Sequence, residues 1–146
     1  MPDHNSGAAT SVERLLASSL ESVDIGEGLV TEVALKAGLE EDERHRLGMA
    51  VRESLVNAVV HGNRYDARKK VFLSVSANRE RLTVTVGDEG DGFDPSALPD
   101  PLAEENLLRQ SGRGLLLMQA FVDEFEVRRR EPRGTQVLLV KRLAAT

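Results

Sequence analysis

The apolar residues of this chain change their period along its length. Over residues 21–37, Val23, Leu29, Val30, Val33, Ala34 and Ala37 recur at helical spacing, and Gly38 follows as a stop. Gly26 and Gly28 weaken the first turns of that helix. Over 41–61 the spacing predicts a second helix. Met49, Val51, Leu55, Val56, Val59 and Val60 give it a wide apolar stripe, and Gly62 ends it. Period two then takes over. VFLSVSAN (71–78) and RLTVTVGD (81–88) alternate apolar and polar residues, as two antiparallel strands joined by a short turn would. DEGDGFDPSALPDP (88–101) reads as loop, AEENLLRQS as one short helix, and GRGLLLMQAFVDEF as an apolar helix opened by glycines. FEVRRRE and TQVLLVKRL read as a closing strand pair around EPRG. VERLLA (12–17) suits a strand or a helix equally.

That order of elements predicts an α+β fold: a two-layer sandwich with helices on one face of an antiparallel or mixed sheet. Residues 1–10 are small and polar and read as a disordered tail. Residues 11–146 read as one domain, long enough to bury a substantial core.

Composition narrows the possible functions. The net charge of −5 argues against a broad basic face for nucleic acid, though a small basic pocket for phosphate remains possible. Aromatic residues make up only 3%, too few for base stacking to dominate recognition. There is no cysteine, which removes disulfides, zinc ribbons and thiol catalysis. No apolar run approaches a membrane span, and MPDHNSGAATS lacks the features of a signal peptide. The cytoplasm is the expected location, with no direct nucleic-acid or membrane contact.

Chemistry concentrates in four places. RESLVNAVVHGN (52–63) sets Glu53, Asn57 and His61 at successive i, i+4 steps, on one helical face, with Asn63 just beyond. An amide oxygen suits a magnesium ion that keeps most of its waters, and a carboxylate one turn earlier suits a ligand or a general base. A solvated helix face explains the same residues more simply, and His61 before Gly62 suits a helix cap. In DEGDGFD (88–94), Asp88 ends a strand and Gly90 and Gly92 follow. A carboxylate there can accept from an exocyclic amine, and the glycines admit a flat ligand close to the backbone. A tight acidic turn is the plain alternative; the calcium-loop spacing is not met. SGRGLLLM (111–118) opens a helix with Gly112, Arg113, Gly114 and Leu115, and helix N-termini bind anions. It fits neither a P-loop nor a dinucleotide fingerprint. Gly134 and Thr135 stand at a turn between strands. Arg128, Arg129 and Arg130 most simply cover a sheet edge.

Together and in this order, the motifs resemble those of the GHKL ATPases, and within them the bacterial anti-sigma-factor serine kinases. The match runs from about residue 20 to 142: Glu53, Asn57-Ala58 and His61-Gly62; Asp88, Gly90 and Gly92-Phe93; Gly112 to Leu115; Gly134-Thr135. The resemblance implies a Bergerat ATP-binding fold with ATP and Mg2+ as cofactors. It implies Asn57 as magnesium ligand, Glu53 as general base, and Asp88 as reader of adenine. Gly90 belongs to the same box, and Gly92 admits the base to the backbone. Gly112, Arg113, Gly114 and Leu115 would lie near the phosphates, and Thr135 near adenine. His61 keeps no role beyond a cap.

The short segment FDPSALPDPLAEENLLRQS between the glycine boxes suits a small ATP lid, as in the serine-kinase branch. That branch implies a sigma factor and a STAS-type anti-sigma-factor antagonist as partners, phosphorylation of a serine on the antagonist, and a homodimer. A non-catalytic module whose partner affinity follows nucleotide occupancy is the alternative; Glu53 favours the enzyme.

Overall fold

The computed structural model describes residues 10–90 and 119–143. Strand β1 (Thr10–Ala17) leads into helix α1 (Leu20–Lys36) and helix α2 (Glu41–Val56). A π turn over Asn57–Gly62 extends α2. Strands β2 (Lys70–Ala77), β3 (Arg81–Gly87), β4 (Glu124–Arg129) and β5 (Thr135–Arg142) follow. VERLLA is therefore strand. β1 starts at Thr10, the last residue of the expected tail; the rest of that tail lies outside the described residues.

The five strands form one sheet in the order β1-β2-β3-β5-β4. Every pairing in it is antiparallel, so the expectation of a mixed sheet is corrected. The reason is a count of reversals. The chain reverses three times between β1 and β2, into α1, into α2 and into β2, so β2 runs against β1. β3 and β4 do run the same way, but β5 lies between them and opposes both.

One sheet face carries the core. β2 buries Val71, Leu73, Val75 and Ala77, while Phe72, Ser74 and Ser76 face the other side. β3 repeats this with Leu82, Val84 and Val86, and β5 adds Leu139. Against this face pack Val23, Val30 and Val33 of α1 and Leu47, Val51 and Leu55 of α2. Each fully buried aliphatic side chain contributes about 1.5–3 kcal/mol. Met49, expected in the apolar stripe, is 41% exposed. The inward face of α2 is set by Leu47, Val51 and Leu55, four residues apart, and Met49 falls on the opposite side.

Gly26 explains how α1 tolerates a glycine. A Cβ there would come within 2.6 Å of Leu55 Cδ1, so the missing side chain is what lets the helix close on the core. The helix stops as its sequence predicts. Gly38 takes φ +90°, its N–H donates to Leu35 O (3.1 Å), and Leu39 N–H donates to Ala34 O (3.0 Å). Leu39 then packs into the core cluster beside Ala34.

The register brings five strand ends together. Ala17 pairs with Lys70, Phe72 with Gly87, Gly87 with Gln136, and Arg129 with Thr135. The C-terminal end of α2 arrives at this same end, because α1 runs away from it and α2 returns.

Candidate functional site

α2 does not run unbroken to His61. Its last α-helical residue is Val56, and the wider turn that follows is closed by Asn63 N–H donating to Ala58 O (2.8 Å). Such π turns inside helices recur at functional sites. Glu53 and Asn57 keep their α-helical relation, one turn apart and half-buried. The widened turn takes His61 out of that register, and it stands exposed. Among the described residues its imidazole makes no hydrogen bond, so the expected cap is not formed.

Asn57 has an unusual acceptor. Its side-chain Oδ1 is buried with no hydrogen-bond partner among the described residues. A buried amide oxygen left unpaired costs stability unless a ligand uses it. A hard oxygen donor of this kind fits Mg2+. The described residues hold no cluster of three His, Cys, Asp or Glu able to bind a metal. A single amide oxygen of this kind would suit an ion that keeps most of its waters.

At the other end of the π turn lies Asp88, which is buried at 7% exposure. Its Oδ1 accepts from Gly90 N–H (2.9 Å) and Thr135 N–H (3.1 Å), and its own N–H donates to Thr135 O (3.0 Å). Its Oδ2 lies against the Cα of Gly62, where a Cβ would strike the carboxylate. A Cβ on Gly90 would strike Gly62 O, and one on Gly134, at φ +103°, would strike Asp88 O. Three backbone segments therefore meet at one carboxylate, and glycine makes each approach possible.

Burial pushes the Asp88 carboxyl above its ordinary value of 3.8. The bonds from Gly90 and Thr135, and the charges of Arg130 and Lys69, oppose that shift. Arg130 reaches Asp88 O with Nη1 (3.5 Å) and lies 5.8 Å from the Phe72 ring centre. Gly87 opens its slot: a Cβ there would sit 3.0 Å from Arg130 Nε.

The structure thus brings Asp88, Gly90 and Thr135 together, with Glu53 and Asn57 one helical segment away. Gly92, Gly112, Arg113, Gly114 and Leu115 lie outside the described residues, as does the segment expected to form a lid. The sequence reading missed the roles of Asn63, Ser18 and Arg130. The available signal was a polar residue placed directly after a helix-ending glycine. Asn63 is 1% exposed, and its Oδ1 accepts from Glu89 N–H (2.8 Å).

Four similarities to known proteins bear on this arrangement. The family of histidine kinase-like ATPase domains matches residues 16–141. An anti-sigma F factor from Bacillus thuringiensis (strain Al Hakam) is 34% identical over 119 residues, 79% of this chain and 82% of that protein. The structure of the RsbU and RsbW domains of Rv1364c from Mycobacterium tuberculosis superposes with a TM-score of 0.66 at 16% identity. It covers 93% of this chain and 34% of that longer one. The SiaB-SiaC complex from Pseudomonas aeruginosa gives 0.61 at 14% identity, over 88% of each chain. At these identities the two structures speak for the fold.

Proposed function

This chain belongs to the histidine kinase-like ATPase family, on its anti-sigma-factor branch, and from that premise we propose that it is an ATP-dependent protein serine kinase. Its substrate is a serine on a STAS-type anti-sigma-factor antagonist, and it also sequesters a sigma factor, acting as a homodimer. The observation that supports the reading is the pair of buried acceptors at the two ends of the π turn. Asn57 offers a buried oxygen with no partner among the described residues, and Asp88 offers a buried carboxylate with glycine backbone packed against it.

Bound Mg-ATP supplies the phosphoryl group. Phosphoryl transfer asks a protein mainly for alignment and charge neutralisation. Asp88 accepts from the adenine amine and orients the base, with Thr135 and Gly90 holding the carboxylate. Asn57 holds the metal, and Glu53, one turn earlier, takes the proton of the attacking serine hydroxyl. Gly112, Arg113 and Gly114 hold the phosphates; that part rests on sequence alone.

The test is calorimetric titration with ATP, with and without magnesium, beside phosphoryl transfer to a cognate antagonist. Magnesium-dependent binding that weakens in Asn57→Ala is expected. Glu53→Ala should keep binding and lose transfer, and transfer at an undiminished rate would remove Glu53 as the base. Nucleotide-dependent partner binding without any transfer would make the chain a binding module instead.

A further inference from the structure

Asp88 is held through its backbone as well as its carboxylate. The peptide that joins it to Glu89 is fixed at both ends. Its carbonyl faces Arg130 and Gly134. Its N–H donates to Asn63 Oδ1. Asn63 is almost fully enclosed, and its amide is fully used. Nδ2 donates to Ser18 Oγ (2.9 Å) and to Lys70 O (3.0 Å). Ser18 Oγ in turn donates to Lys69 O. Glu89 closes the circuit, its Oε2 accepting from Lys70 N–H (2.6 Å).

Four segments therefore converge on one side chain: the end of β1, the end of the π turn, the start of β2 and the loop after β3. The same π turn puts Gly62 under Asp88 Oδ2 and Asn63 under the next peptide. An asparagine is the right shape for this. It accepts once and donates twice within one planar group. An alanine would take from Glu89 N–H its acceptor and from Lys70 O a donor, at a half-buried junction.

We infer that Asn63, braced by Ser18, is a positioning residue for base recognition: it aims the Asp88 carboxylate at the exocyclic amine of a bound purine. The inference rests on the reading of Asp88 given above. It assigns Asn63 a role in selectivity that a merely stabilising residue would not have.

The test compares ATP with purine riboside triphosphate, which lacks the 6-amino group and cannot use Asp88. Intact protein should prefer ATP by about tenfold, the worth of one good hydrogen bond to a charged group. Asn63→Ala should lose most of that preference, weakening ATP while changing the analogue by less than about twofold. An equal loss for both nucleotides would overturn the inference, because a packing defect damages the whole site. If Asn63→Ala does not fold, Ser18→Ala is read in the same terms: a selective loss supports the inference and an equal or absent loss overturns it. Intact protein that treats the two nucleotides alike would instead overturn the reading of Asp88, and the inference with it.

Discussion

Asp88 Oδ2 rests against the Cα of Gly62, so closely that no other residue fits at position 62 without moving the carboxylate. Neither residue is near the other in sequence. The contact exists because the π turn delivers Gly62 to the end of β3.

Gly62→Ala should therefore damage the site and the fold together. Overpacking a closed contact costs about 1–3 kcal/mol, so the melting temperature should fall. ATP affinity should fall with it, because the displaced group is the one proposed to read the base. Thermal denaturation and calorimetry on the same sample check both. Gly134→Ala should be at least as severe, since its φ of +103° adds backbone strain to the clash with Asp88 O.

Acid should weaken nucleotide binding. The Asp88 carboxyl is raised above 3.8, so on acidification it protonates sooner in the folded than in the unfolded chain. Its own contribution to folding stability thus increases as pH falls through its folded value toward 3.8, and is lost as pH rises again. Binding goes the other way, because the protonated carboxyl is a poorer acceptor for an amine. ATP affinity measured from neutral pH downward should begin to fall at a higher pH than an unshifted aspartate would give. Asp88→Asn should bind weakly at every pH and show no such fall.

Asn57 offers a sharper separation of stability from function. Its Oδ1 has no partner to lose among the described residues. Asn57→Leu, similar in volume, should leave the nucleotide-free protein as stable or raise stability by up to about 2 kcal/mol. The same change should abolish the magnesium dependence of ATP binding. Chemical denaturation without nucleotide, and titration with and without magnesium, read the two effects independently.

In the core, Gly26→Ala and Leu55 form a testable pair. The added Cβ would sit 2.6 Å from Leu55 Cδ1 and 3.3 Å from Leu73 Cδ2. A loss of about 1–3 kcal/mol is expected from the single change. Leu55→Val should recover part of it in the double variant, although alone it loses stability. Simple additivity of the two losses in denaturant unfolding would show that the contact is not shared.

Most elements were legible because their period is written in their own side chains. β2 and β3 alternate residue by residue, and α1 ends at the glycine that its sequence offers as a stop. Asp88 stood out in the sequence as a carboxylate at a strand end before spaced glycines, and the structure gives it the turn bonds from Gly90 and Thr135 N–H. The π turn was not legible. NAVVHG has apolar spacing that suits an α-helix equally well, and only the bond from Asn63 N–H to Ala58 O reveals the difference. The sheet direction was not legible either, since it depends on how many helices lie between two strands and which strand is inserted between others. The role of Asn63 was not legible because its three side-chain hydrogen bonds go to segments up to 45 residues away.

The π turn also makes the number of residues in this segment matter, apart from their kind. Removing one residue between Asn57 and Gly62 would let the backbone relax into ordinary α-helix. The wider turn rotates the chain less per residue, so the shorter α-helical segment would reach about the same direction with one residue fewer. Gly62 would still meet Asp88, and Asn63 would still meet Glu89. The segment should accept the loss of one residue and not the gain of one, which a turn already wound wide cannot absorb.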